Sequence, residues 1–70
     1  MYSLVLAEIG EENVIKKIDG TADVKDHLAQ LGFSVGKTVT VVSKMGSSVI
    51  VSVKDTRVAV SEELARKIML

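Results

Sequence analysis

The chain has 70 residues, nine basic and nine acidic side chains, one histidine and no cysteine. At that length one small core is all the chain can bury, which leaves little room for a deep catalytic cleft. The missing thiols exclude disulfides, thiolate metal sites and a cysteine nucleophile, and the balanced charge supplies no net field for nucleic acid or anionic membrane.

The opening "MYSLVLAEIG" has no basic leader, and Glu8 interrupts its apolar run too soon for a signal peptide or a membrane span. A soluble cytoplasmic protein is the expectation. Residues 13–19, "NVIKKID", read as a strand closed by the turn signal Asp19-Gly20. A helix over 22–31 follows, with Val24, Leu28 and Leu31 at i, i+4 and i+7 as its apolar stripe. Thr21 is placed to cap it, Asp23 opposes the positive end of the dipole, and Gly32 can take the left-handed conformation that stops it. Phe33 then falls where it can pack back on Leu28.

The next stretch, "GFSVGKT", looks at first like a phosphate-binding loop, but only three residues separate Gly32 from Gly36 where that loop needs four. Its flanks are also reversed. It leaves a helix and enters the β-branched run "KTVTVVSK", so no helix N-terminus follows to hold an anion. "KTVTVVSK" and "SSVIVSVK" form a hairpin through Met45-Gly46, with Val49, Val51 and Val53 at period two. A second turn at Lys54-Asp55-Thr56 leads to "RVAVS", where Val58 and Val60 continue the alternation and complete a meander. Ser61 caps a short helix with Glu62 and Glu63 in its first turn, from which Leu64, Ala65 and Ile68 face inward. Residues 68–70 make a closing strand. Mostly β, with one helix inserted after the first strand and a short C-terminal helix, the pattern closes most economically as a small barrel forming one domain over 1–70.

Few residues carry chemistry. His27 shares a helix flank with Asp23 and Gln30, and His27 with Asp23 is a two-donor set for a divalent transition metal, short of the four a tight site uses. The alternative is a solvated flank, and no cofactor is expected. Glu11-Glu12 and Glu62-Glu63 are adjacent, so their side chains diverge, and no serine is set in a pocket beside His27. The chain is read as no enzyme. Leu6, Ile9, Phe33, Met45 and Ile50 are apolar residues that so small a domain need not all bury, and as a group they favour a protein that binds another protein or itself.

Across nearly its whole length the chain resembles the ferrous iron transport protein A (FeoA) family. The resemblance is carried by Leu28-x-x-Leu31-Gly32-Phe33-x-x-Gly36, the hydrophobic strand and hairpin after it, "DTRVAV", the ending Ala65-x-x-Ile68-Met69, and upstream "GEENVIKKIDG" with its leading Gly10. Where the family commonly has proline before the second glycine, this chain has Val35. The resemblance implies an SH3-like barrel in the cytoplasm, an accessory to the membrane ferrous iron transporter (FeoB), whose cytoplasmic domain is a GTPase. On that reading the partner binds nucleotide and this chain does not. For the contact, the helix end and the loop after it are the expectation: His27, Leu31, Phe33 and Ser34, with the Met45 tip as neighbour. The runner-up is a stand-alone metal-binding or iron-sensing SH3-like module, related to the C-terminal domain of metal-dependent repressors. Without a helix-turn-helix it reads no DNA. Whether the chain forms a homo-oligomer stays open.

Overall fold

The first predicted strand is divided. In the computed structural model, which describes residues 1–70, β1 (Glu12–Val14) pairs antiparallel with β3 (Thr38–Met45), whereas β2 (Lys17–Ile18) pairs with β6 (Ile68–Met69). Ile15 makes the corner between them. Its N–H donates to the Lys37 carbonyl at 2.9 Å and its carbonyl accepts from Gly36 N–H at 2.8 Å, while the next N–H, of Lys16, already donates to the Met69 carbonyl. The Ile15 side chain is fully buried at this bend.

The helix α1 (Ala22–Gln30) begins as expected, with Thr21 Oγ1 accepting from Val24 N–H at 3.4 Å and Asp23 in the first turn. It ends in a Schellman motif: Phe33 N–H donates to the Leu28 carbonyl at 2.9 Å and Gly32 N–H to the Ala29 carbonyl at 3.0 Å. Gly32 stands at φ +102°, where a side chain would be strained. The accompanying apolar contact positions bring together Leu28 and Phe33, both fully buried.

The meander is β3, β4 (Ser48–Val53) and β5 (Thr56–Ser61). Register places Val39 opposite Val53, Val41 opposite Val51, and Val49 opposite Val60, so one face of the sheet is a valine surface turned to the core. A bulge between Val41 and Ser43 shifts the pairing, so Lys44 stands opposite Val49 and Met45 opposite Ser48. Lys44 lies on the inner face by register yet is exposed, and its Nζ donates to the Val5 carbonyl at 2.9 Å. Lys54 and Asp55 both have positive φ, as a type I′ hairpin turn requires.

Ser61 Oγ accepts from Leu64 N–H at 3.2 Å and caps α2 (Glu62–Ala65), which carries the chain from β5 to β6. The sheets have the orders β1-β3-β4-β5 and β2-β6, and no ladder joins them. The barrel is thus approximate, closed by packing rather than by a continuous ring of strand pairs. Two features fall outside the sequence reading: a 3₁₀ turn at Leu4–Leu6, and a bridge from Ser3 to Met69 beside β6. They bury Leu4 and Ala7, members of a core of 15 buried residues that are all apolar.

Candidate functional site

Each residue expected at the contact surface has a definite place. His27 and Asp23 are exposed one helical turn apart on α1. Neither side chain takes part in an ion pair, and nowhere in the structure are three or more His, Cys, Asp or Glu side chains gathered so as to hold a metal ion. Two exposed donors do not fit a resident ion, which needs about four ligands in a tetrahedral site. Leu31, the C-cap of α1, is half-buried and packs against the core. Ser34 is half-buried at the start of a turn, its carbonyl accepting from Lys37 N–H at 3.1 Å.

Phe33 is 0% exposed, so its side chain cannot be presented to a partner. The Schellman stop explains this correction, because the residue after the glycine is turned back onto the last helical turn. Met45 is 66% exposed, but it is no neighbour of Ser34. It lies at the far end of β3, roughly 23 Å from Thr38 at the usual rise of a strand. There it is near the N-terminal segment, since Gly10 N–H donates to the Val41 carbonyl at 2.8 Å and Lys44 Nζ reaches Val5. Leu6 (69% exposed) and Ile9 (59%) are the exposed apolar residues of that segment, which runs beside β3. Ile50 is half-buried. The single predicted patch is therefore divided: His27, Leu31 and Ser34 follow one another along α1 and the loop after it, and Met45 stands apart at the β3–β4 hairpin.

The loop that resembles a phosphate cradle uses the N–H groups of both its glycines and of its lysine within the fold. The N–H groups of Gly32, Phe33, Gly36 and Lys37 donate to the carbonyls of Ala29, Leu28, Ile15 and Ser34, respectively. What this loop does form is one wall of a groove of about 410 Å³ between β2 and α1. Lys16, Lys17 and Lys25 line it, with Ile18, Ala29 and Val35 as apolar walls. Sequence reasoning missed this groove. Lys16 and Lys17 fall within the strand "NVIKKID", and nothing in the local pattern shows that β2 will lie against α1.

The sequence model of the FeoA domain matches residues 2–70. A protein of Methanocaldococcus jannaschii, provisionally named Fe(2+) transport protein A, is 36% identical over the whole chain, which covers 85% of that protein. Among solved structures, the iron uptake regulatory protein FeoA superposes with a TM-score of 0.90 at 28% identity, covering 97% of this chain and 90% of that one. FeoA of Stenotrophomonas maltophilia, an SH3 domain protein crystallised with zinc, gives 0.83 at 25% identity, covering 99% and 88%. A manganese-dependent transcriptional repressor contains the same fold, with a TM-score of 0.85 at 16% identity over 94% of this chain and 38% of the repressor, a likeness of fold alone.

Proposed function

The chain belongs to the FeoA domain family, and from that premise we propose that it is a small cytoplasmic accessory protein of a ferrous iron uptake system, binding the membrane Fe(II) transporter (FeoB) and regulating or assembling it. The full-length match to a family whose relatives are named for Fe(2+) transport carries this reading. The surface supports it. Leu6, Ile9 and Met45 stand well exposed, apolar side chains available for contact with another protein. No helix is long and apolar enough to cross a membrane. The role is one of docking, with no catalytic step of its own.

The test is binding of the purified chain to the cytoplasmic GTPase-containing part of the same organism's transporter, with GTP turnover followed in the same samples. Saturable binding is the expected result, and a change in turnover makes the chain a regulator rather than a scaffold. No binding in either nucleotide state moves the dock to the membrane-embedded part, and no binding to the whole transporter either overturns this reading. Because His27 lies on α1 and Met45 at the β3–β4 hairpin, His27→Ala and Met45→Ala report separately on which element docks. The Met45 substitution is expected to weaken the complex about tenfold, as for a contact residue of roughly 1–2 kcal/mol.

A second reading, a metal-binding or iron-sensing module, is favoured by one observation: the S. maltophilia relative was crystallised with zinc. Calorimetry with Fe(II) or Mn(II) separates the two. A sensor saturates at a defined stoichiometry and loses binding with His27→Ala, whereas the docking reading expects weak, non-saturating heats from two exposed donors.

A further inference from the structure

The groove between β2, α1 and the Phe33–Val35 loop has features that the transporter reading did not use. Three lysines line it against one aspartate, Asp26, on a chain whose net charge is zero. Lys17 is held by Asp19 at 3.3 Å, while Lys16 and Lys25 belong to neither of the two ion pairs in the molecule. Between these charges the walls are apolar, and Val35 is 63% exposed at the lip. Independently, β2 pairs only with β6, so its other side is a strand edge, and Lys16, Lys17 and Ile18 bring that stretch to the groove. An unpaired edge offers backbone donors and acceptors to an added strand.

We propose that this groove docks an extended acidic segment of a partner protein, its carboxylates reaching Lys16 and Lys25 and an apolar side chain lying against Ala29 and Val35. Charge complementarity selects the occupant. Single-stranded nucleic acid would need exposed rings for stacking, and Phe33, the aromatic residue at the groove, is fully buried. A free phosphate would engage the lysines alone and leave the apolar wall of Ile18, Ala29 and Val35 without a partner. A lipid surface would need a broad apolar face beside the lysines, and Val35 is the one large apolar side chain strongly exposed there. The proposal rests on the transporter reading only in taking the transporter as the natural partner.

The test uses the full, ¹⁵N-labelled chain and a probe peptide of alternating glutamate and valine, roughly eight residues long, within the usual length of a strand. Saturable amide shifts are expected at Lys16–Ile18, Ala29 and Ser34–Val35, weakening as salt is raised. The double variant Lys16→Glu/Lys25→Glu, which changes two exposed side chains and leaves the core untouched, is expected to lose at least about tenfold in affinity. Shifts confined to other residues, equal binding of a lysine-for-glutamate peptide, or undiminished affinity of the double variant would overturn the proposal. So would tight binding to vesicles containing phosphatidylglycerol without any response to the peptide.

The same variant is measured against the cytoplasmic part of the transporter. Loss of binding by the double variant supports the groove as the dock. Equal binding of both proteins removes the groove from that complex while the transporter reading stands. If neither binds, the cytoplasmic part is not the dock, and the peptide titration alone decides the groove.

Discussion

Gly32 shows how one residue serves both a turn and the core. Its φ of +102° disfavours any side chain, and a Cβ there would stand 2.9 Å from Val53 Cγ1, itself part of the buried valine face. Gly36 has a similar φ of +91° but no heavy atom within 4 Å of such a Cβ. Gly36→Ala is therefore expected to cost only the conformational term, about 1–2 kcal/mol, and Gly32→Ala roughly 1–2 kcal/mol more for the overpacking. Urea denaturation of the two variants checks the difference, and equal midpoints would show that Val53 yields freely. The glycine stop and the place of Phe33 beside Leu28 were legible in the sequence, because a helix stop is written within a few residues. The same sequence also offers Phe33 as a contact residue, which its burial corrects. The sequence marks a lone aromatic after a helix but not the depth at which the helix end is set, and here the end lies in the core.

At the scale of elements, the helices and the meander were legible for the same reason: period, cap and turn are short-range signals. The short helix α2 depends on them most. Four residues cannot sustain a helix alone, so it relies on the Ser61 cap and on burial of Ala65. Ser61→Ala is expected to cost about 1 kcal/mol. Because α2 leads directly into β6, hydrogen exchange should accelerate first at Ile68 and Met69, with the paired centre of β3 and β4 the last to respond. Uniform acceleration across both sheets would instead mean that the two open together. The division of the first strand was not legible. Val14, Ile15 and Ile18 look like one interrupted apolar run, and the corner at Ile15 exists only because Lys37 and Met69 bring carbonyls to successive N–H groups.

For the whole molecule, the notable fact is that two sheets without a shared ladder enclose one core. The N-terminal segment helps to seal it, since Tyr2 and Leu70 exchange backbone hydrogen bonds and Leu4 is 0% exposed. Leu4→Ala is expected to destabilise by about 2–5 kcal/mol, the usual cost of emptying a packed leucine site. For a domain whose total stability is on the order of 5–10 kcal/mol, that is a large share, visible as a marked fall in thermal midpoint. A fall no greater than that of Leu6→Ala, at a residue 69% exposed, would mean that the segment is not part of the cooperative unit.

The sequence by itself determined the order of helices and strands, the valine face of the meander, the stops and caps, and the family. Each of these is written in residues a few positions apart, or in an ordered set of motifs along the whole length. Only the tertiary structure decided the rest. It sent the first strand into two sheets, drew Leu4 and Phe33 inward, carried Met45 away from Ser34, and set Lys16 and Lys17 beside Lys25 across a groove. Those outcomes depend on which distant segments share the core, and no pattern confined to neighbouring residues carries that information.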